Sequence, residues 1–371
     1  MPLVPLYGHA ALCERLLATH ARGALPASLL LHGPRGVGKQ RLALWLAQAL
    51  VCAGAPATRP GGAPCGACQH CRYADQLAHP DVPWFFPRPR LKDADAGPDE
   101  VRADYAEARA ERAARHGLYA AGSGSEAIYV ATVRTLVQQA AVSPAMAGRK
   151  VFVVGDAERM VAQEGADQAA NAFLKLLEEP PADTTLVLTS SEPGALLPTI
   201  RSRVVSVRVP PLAEPEVRAF LADPQVRAAL EAAGDRDDAA ARVRRASGAP
   251  GALLGATEQA AAEAEAVRLL RAATEGDRSD RLRAAFGQGA SKARGAYSDV
   301  LDALTIRLHA LAREGVAPRA PDDARPRDAR RALGAARAVD AVERAKARAA
   351  GNVNPQLVTA ALVRELAAAL R

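Results

Sequence analysis

The chain has 371 residues, of which 49% are hydrophobic, 24% are charged and only 4% are aromatic. This length suits two or three domains, and the composition is that of a soluble globular protein with a mainly aliphatic core. No apolar run reaches the roughly 18 residues of a membrane span, and residues 1–5 lack the features of a signal peptide. We therefore predict a cytoplasmic protein with no membrane partner. The net charge of +7 permits contact with nucleic acid without requiring it.

The first well-defined elements are a strand, a glycine-rich turn and a helix. Residues 28–32 form a short apolar strand, and residues 41–50 have the periodicity of a helix. Between them, residues 33–40 read GPRGVGKQ, which matches the P-loop pattern G-x-x-x-x-G-K-[ST] at every position except the last. In this context the backbone N–H groups of the turn and the N-terminus of the helix bind phosphate.

The predicted nucleotide site contains Gly33, Gly36, Gly38 and Lys39, with Gln40 where a Ser or Thr hydroxyl would bind Mg²⁺. Glutamine is a poor ligand for a hard cation at a position shaped for a short hydroxyl. The loop keeps the residues that bind ATP or ADP, but we expect no hydrolysis by this chain. A glycine-rich turn without a ligand is the alternative interpretation.

Four of the five cysteines follow with the spacing C-x₁₂-C-x₂-C-x₂-C: Cys52, Cys65, Cys68 and Cys71. In a cytosolic protein this spacing predicts a tetrahedral Zn²⁺ site closed by four thiolates. Because four ligands leave no position for water, the zinc would be structural and would hold residues 52–71 together. The alternatives are reduced thiols, a redox pair, or replacement of one ligand by His70 or His79.

Residues 87–127 interrupt the regular pattern. They contain a charged stretch with prolines, a polar helix and a flexible GSGS segment. We predict a surface insertion here. A basic helix that contacts nucleic acid is the alternative, but acidic residues alternate with the arginines, which favours a solvated face.

A helix over 130–141 comes next, and a buried strand over 150–156 follows it and ends in Asp156. This is the Walker B arrangement, in which a parallel strand delivers a carboxylate to the phosphate-binding edge of the sheet. An active site would carry Glu directly after that Asp to polarise water. Here Ala157 follows, and Glu158 comes one place late. Since alternate residues of a strand point to opposite faces, we expect Glu158 to face away from the site.

A specific resemblance begins with residues 171–181, NAFLKLLEEPP, an amphipathic helix stopped by Pro-Pro. A strand over 184–188 and the sequence IRSR at 200–203 follow. This series resembles the ATPases of sliding-clamp loaders in the AAA+ superfamily, as do the four-cysteine insert and the His-Pro-Asp sequence at 79–81. The degraded catalytic motifs narrow the resemblance to the delta-prime subunits of the bacterial DNA polymerase III clamp loader. It covers nearly the whole chain.

The resemblance implies a role for Arg203. In the family, the arginine of a Ser-Arg-Cys motif is a finger that reaches the ATP of the neighbouring subunit, and Ser202-Arg203-Val204 matches this motif except for its last residue. A guanidinium supplied in trans offsets charge on the γ-phosphate. Arg201 is the alternative finger, and a surface ion pair is the interpretation without the family. Active members also carry a γ-phosphate-sensing arginine in a lid helix, where this chain has Gly251.

The resemblance also implies the fold and the domains. It predicts an α/β AAA+ P-loop domain over 1–210, with helices on both faces of a parallel sheet, then a small helical lid over 211–258. A helical collar over 259–371 would join the subunits of a hetero-oligomer. The last helix begins after Asn354 and carries an apolar stripe with a spacing of four: Val358, Leu362, Leu366 and Leu370.

We therefore predict a non-catalytic clamp-loader subunit of the DNA polymerase III holoenzyme that acts in DNA replication. Its partners would be a gamma/tau-like ATPase, a delta-like subunit that opens the clamp and, through the complex, the sliding clamp and primer–template DNA. One alternative is a working gamma-like ATPase that uses Gln40 through a water. Another is a zinc-dependent DNA-binding module within residues 50–80.

Overall fold

The computed structural model describes residues 2–55, 57, 59–91, 96–120, 126–160, 167–287, 294–314, 326–350 and 354–370. These residues fall into two compact units, one made of the described residues up to Gly255 and the other of those from Ala256 onward. Among the helices that the structure describes, none is long and apolar enough to cross a bilayer.

The first unit is built on a five-stranded sheet in which every pairing is parallel. Long apolar runs in three of the strands are buried on both faces, as expected for a sheet covered by helices on each side. The order across the sheet is β2-β3-β4-β1-β5. The strands are β1 (Ser28–His32), β2 (Trp84–Phe85), β3 (Lys150–Val154), β4 (Thr184–Ser190) and β5 (Val205–Arg208).

Helices cover this sheet and continue beyond it within the first unit. Those described are α1 (Ala10–Ala21), α2 (Lys39–Val51), α3 (Gln69–Asp75), α4 (Pro98–Ala114), α5 (Val130–Ala140), α6 (Asp167–Glu178), α7 (Pro198–Arg201), α8 (Glu214–Ala222), α9 (Pro224–Ala232) and α10 (Ala239–Ala246). Except for α3, these helices pack their apolar sides with the central strands into one hydrophobic core. Short 3₁₀ turns occur at Pro60–Gly62, Ala157–Arg159 and Pro250–Gly255.

The second unit is helical and has its own core. Its described helices are α11 (Ala256–Thr274), α12 (Arg278–Phe286), α13 (Arg294–Glu314), α14 (Pro326–Ala350) and α15 (Pro355–Leu370). As predicted for the start of the last helix, the Asn354 side chain caps α15 by accepting from the backbone N–H of Gln356 at 2.8 Å. Of the predicted stripe, Val358, Leu362 and Leu366 are buried in this core.

The predicted fold class is confirmed, because a parallel α/β sheet carries the P-loop and the last part of the chain is helical. The names lid and collar for the helical regions stay predictions.

The segment 87–127 contains the expected polar helix, α4, but one face of this helix is buried where we expected a solvated surface. Val101, Tyr105 and Ala108 form a buried face of α4, and the Tyr105 ring packs against Phe85 and Phe86 with centroids 5.0 and 5.3 Å apart. Its hydroxyl donates to the Phe86 carbonyl at 2.6 Å. This face was hard to detect because a few apolar residues at helical spacing stand among many charged ones.

Candidate functional site

The predicted phosphate-binding loop, residues 33–40, joins β1 to α2 at the carboxyl edge of the sheet. The helix begins at Lys39, directly after Gly38, whose φ of +93° lies in the left-handed region that favours glycine. The buried Lys39 donates from Nζ to the carbonyls of Gly33 and Pro34 at 3.0 and 2.8 Å and to Ser191 Oγ at 2.9 Å. Burial lowers the pKa of Lys39. The ammonium is therefore held inside its own loop.

Asp156 reaches the same edge of the sheet from the end of β3, as the Walker B pattern predicts. Its backbone N–H donates to Thr189 Oγ1 at 3.1 Å, which ties it to β4. Burial raises the pKa of Asp156, the nearby Glu158 carboxylate raises it further, and Lys39 opposes both. The structure thus brings Lys39 and Asp156 into one electrostatic cluster.

Glu158 belongs to this cluster too, so the expectation that it faces away is wrong. The Ser191 backbone N–H donates to Glu158 Oε1 at 2.9 Å, and Ser191 Oγ accepts from Lys39. Strand alternation does not apply, because β3 ends at Val154 and Asp156 then adopts a left-handed φ of +47° before a 3₁₀ turn. The other oxygen, Oε2, is buried and has no hydrogen-bond partner among the described residues.

Gln40, at the position where an active enzyme would bind Mg²⁺, is held by three other side chains. Its Oε1 accepts from Trp84 Nε1 at 3.2 Å and from the Tyr119 hydroxyl at 3.0 Å. Its Nε2 donates to Asp156 Oδ2 at 3.0 Å. The side-chain amide therefore joins the loop to the Walker B carboxylate, a link that a cation makes in a hydrolytic site.

Sequence reasoning missed that Trp84 and the insertion 87–127 contribute to this site. The guanidinium of Arg112, on α4, lies over the rings of Trp84, Phe86 and Tyr119, with its carbon 4.6, 3.3 and 3.9 Å from their centroids. Burial raises the pKa of Tyr119 to about 12. A usable signal was present, because aromatic residues are rare in this chain and three of them stand together at 84–86.

The turn at Pro250–Gly255 packs directly against the tip of the phosphate-binding loop. The backbone N–H of Gly251 donates to the Gly36 carbonyl at 2.9 Å. Gly36 has a φ of +84°, and a Cβ on it would lie 2.5 Å from the nitrogen of Ala252. A Cβ at 251 would lie 2.9 Å from the Gly36 carbonyl oxygen. The arginine expected here in active members would therefore require the two backbones to separate.

The four cysteines predicted as metal ligands come together after α2, and their sulfur atoms all lie within 4.8 Å of one another. The Sγ atoms of Cys52 and Cys68 are 3.9 Å apart, as are those of Cys65 and Cys71. A tetrahedron with Zn–S bonds of about 2.3 Å has edges of about 3.8 Å, so the arrangement fits zinc. These separations far exceed the roughly 2.05 Å of a disulfide bond.

Backbone N–H groups point at the same sulfur atoms. Cys52 Sγ accepts from Gly54 and Cys65 at 3.4 Å, and Cys65 Sγ accepts from Cys68 at 3.3 Å. Hydrogen bonds from backbone N–H groups lower the pKa of Cys65 to about 6, which favours the thiolate that a metal requires. Nearby, His70 Nδ1 and His79 Nε2 lie 2.9 Å apart and bond to each other. The sulfur cluster alone can thus hold a metal such as zinc.

Arg203 lies two residues beyond α7 and is bound by its own chain. Its Nε donates to Glu178 Oε1 at 2.5 Å, and its Nη2 forms an ion pair with the same carboxylate. Its Nη1 donates to the Thr199 carbonyl at 2.9 Å and to Ser202 Oγ at 3.2 Å. None of these partners belongs to the phosphate-binding loop. The side chain is still 29% exposed.

The backbone around Arg203 is fixed by Ile200 and Val204, which are both buried. Close to it along the chain, Leu197 and Val205 are 43% and 50% exposed. Arg201, the alternative finger, is exposed. This surface therefore combines a held arginine with accessible apolar side chains.

The family model described as "DNA polymerase III, delta subunit" matches residues 8–213, more than half of the chain. The chain belongs to this family. The match includes the phosphate-binding loop, the four cysteines, Asp156 and Arg203.

Individual relatives agree with the family match. The DNA polymerase III subunit delta' of Pseudomonas aeruginosa is 35% identical over 182 residues, which are 49% of this chain and 42% of that protein. The subunit delta' of Escherichia coli is 28% identical over 242 residues, 65% of this chain and 57% of that protein. The subunit gamma/tau of Mycobacterium tuberculosis is 33% identical over 181 residues, 49% of this chain and 24% of that protein. The chain spans about half the length of the delta' relatives that it matches.

Proposed function

We propose that this chain is a clamp-loader subunit that does not hydrolyse ATP itself and presents Arg203 to the nucleotide of a neighbouring subunit. Its family and its delta' and gamma/tau relatives support a place in the DNA polymerase III clamp loader. Its neighbours would then be a gamma/tau-like ATPase and a delta-like clamp opener. The complex would load the sliding clamp on primer–template DNA in the cytoplasm.

The observation that carries the non-catalytic part is the set of hydrogen bonds made by Gln40. The Gln40 amide donates to the Asp156 carboxylate, and Trp84 and Tyr119 fix the amide in this position by donating to its oxygen. A divalent cation would have to break these bonds and would then meet an amide where a hydroxyl ligand is needed. Without a cation, the charge that develops on a transferred phosphate lacks its main counter-charge. ATP or ADP without turnover remains compatible with the loop.

The arginine finger is supported by the position and partners of Arg203. The side chain follows the short helix α7, is held by hydrogen bonds to Glu178, Thr199 and Ser202, and is partly exposed. None of these partners lies in its own phosphate-binding loop. The exposed apolar side chains of Leu197 and Val205 suit a surface that a second subunit covers. An arginine supplied across such a surface stabilises the transition state of phosphoryl transfer in trans.

The four cysteines support a structural zinc site in the same first unit. Four thiolates complete a tetrahedral shell and leave no coordination position for water or substrate. We therefore assign zinc to the stability of residues 52–71 and to no chemical step.

The test is single-turnover ATP hydrolysis by the reconstituted clamp loader with Arg203→Ala. We expect the complex to assemble and the site facing this subunit to slow by about 10³-fold or more. Arg201→Ala, which removes an equal charge two residues away, is the matched control and should leave that site active. An equal loss of hydrolysis rate in both variants would contradict the assignment to Arg203. An unchanged rate in both variants would show that this chain supplies no arginine finger.

A second candidate, a working ATPase, is favoured by one observation. Glu158 lies beside Lys39 and Asp156, and its buried Oε2 has no partner among the described residues. A carboxylate there is a candidate for polarising water. Turnover by the isolated chain separates the two functions.

A further inference from the structure

We infer that Glu178 is a positioning residue that keeps the Arg203 finger in a latent state until the nucleotide of the neighbouring subunit draws it away. This inference rests on the proposed function of Arg203. It adds that the same chain both supplies the finger and holds it back.

The contacts of the guanidinium carry the inference. Its Nε and Nη2 both bind Glu178, while its Nη1 binds Thr199 and Ser202. Every nitrogen of the group therefore has a partner within its own chain. Arginine typically binds a phosphate group through two N–H donors at once. Arg203 must therefore release some of its present partners before it can bind a phosphate in this way.

Both partners of the pair stand next to residues that are buried in the core. Glu178 is the last residue of α6, directly after the buried Leu177, whose carbonyl accepts from Ser28 Oγ of β1 at 3.1 Å. Arg203 stands between the buried Ile200 and Val204. The two charges, 25 residues apart in sequence, are therefore brought together by the core and not by chance contact of two flexible side chains.

Helix stability does not explain an acidic residue at this position. A carboxylate at the C-terminus of a helix is disfavoured by the helix dipole, which prefers a cation there. Arg203 supplies that cation. The pair is also partly open to water, since the two side chains are 29% and 46% exposed. Exposed pairs are weak, so a highly charged phosphate in a closed interface can displace Glu178.

The test compares Glu178→Gln with Glu179→Gln in the reconstituted clamp loader. Both variants remove one negative charge from adjacent exposed residues and keep the side-chain shape. We expect kcat/KM for ATP to rise about two- to fivefold in Glu178→Gln, the range that matches the strength of an exposed ion pair. Glu179→Gln should leave it unchanged.

A double variant shows whether the effect passes through the finger. Glu178→Gln combined with Arg203→Ala should be as slow as Arg203→Ala alone. A fall in kcat/KM with Glu178→Gln, a value equal to that of Glu179→Gln, or a gain that persists without Arg203 would each overturn the inference. An unchanged rate in Arg203→Ala would instead overturn the proposed finger, and with it the role of Glu178.

Discussion

Asp81 shows how a single carboxylate organises a loop of this protein. Its Oδ1 accepts from the backbone N–H of Ala145 at 2.6 Å, and its Oδ2 accepts from Met146 and Ala147 at 2.8 and 2.7 Å. Burial alone would raise the pKa of Asp81, but these three N–H groups, together with the nearby His79, outweigh it and bring the pKa below its ordinary value. Asp81, the last residue of the His-Pro-Asp sequence, thus holds the loop at 145–147 that leads into β3.

Asp81→Asn should lower the free energy of unfolding by about 1–3 kcal/mol at pH 7, because an amide cannot accept from all three N–H groups. The lowered pKa means that the carboxylate stabilises the fold above its unfolded pKa of about 3.9 and loses this effect as the pH falls through the folded value. The difference from wild type should therefore shrink towards pH 3. Urea unfolding at several pH values measures it.

The control for this experiment is Asp99→Asn, whose side chain is 95% exposed in the first turn of α4. Its effect should stay within about 0.5 kcal/mol at every pH. A difference between Asp81→Asn and wild type that is the same at pH 7 and pH 3 would contradict the role of the charged carboxylate.

Among the elements, the segment from the end of α2 to α3 is the one that we expect to depend most on a cross-link. The helix α3 has only seven residues, and a helix of this length is not stable by itself in water. The Sγ of Cys68 caps it by accepting from the backbone N–H of Cys71 at 3.5 Å. Arg59 also holds the segment, since its guanidinium donates to the carbonyls of Ala49, Cys52 and Gly62. Because the four sulfur atoms lie together beside α3, we expect a metal to order the segment locally.

Cys65→Ser should release zinc and loosen residues 52–71, while the sheet keeps its stability, because the cluster lies outside the central strands. Metal analysis after dialysis against a chelator should find zinc in the wild type and little in the variant. Amide hydrogen exchange should quicken only in this segment. Cys13→Ala, a change to the cysteine outside the cluster, should keep the zinc. Global unfolding of Cys65→Ser would contradict a local staple.

In the first unit as a whole, distant segments close around the phosphate-binding loop. The ends of β3 and β4 supply Asp156 and Ser191, and the insertion 87–127 supplies Tyr119. The turn at Pro250–Gly255 touches Gly36 through backbone atoms. Through these contacts, polar groups of the loop bind partners in the same chain. We therefore expect the loop to keep its fold without a bound nucleotide.

The isolated chain should therefore show no ATP turnover. Gln40→Thr should restore Mg²⁺-dependent nucleotide binding, because a short hydroxyl replaces the amide and frees Asp156. Calorimetric titration with Mg²⁺–ATP, and with ATP plus a chelator, measures this. The double variant Gln40→Thr with Lys39→Ala should bind ATP neither with Mg²⁺ nor with the chelator. ATP turnover by the isolated wild-type chain that disappears in Lys39→Ala would instead show that this chain is a working ATPase.

Local patterns predicted the phosphate-binding loop, the cysteine cluster and the buried strands, whereas the resemblance to clamp-loader ATPases implied the class of fold and the role of Arg203. The strand, glycine turn and helix around residues 33–40, the cysteine spacing and the apolar strands each lie within a short stretch. Their physical requirements, a left-handed glycine, paired thiolates and a strand buried on both faces, are visible in residue type and spacing.

The relations between these residues came from contacts that no local pattern encodes. Glu158 turns towards Lys39 because Asp156 adopts a left-handed conformation that strand periodicity does not anticipate. Gln40 meets Tyr119 across 79 positions, and Arg203 meets Glu178 across 25. Side-chain orientation and pairing at such separations are set by how the core packs. That packing places Lys39 and Gln40 of the altered P-loop in hydrogen bonds with groups of the same chain.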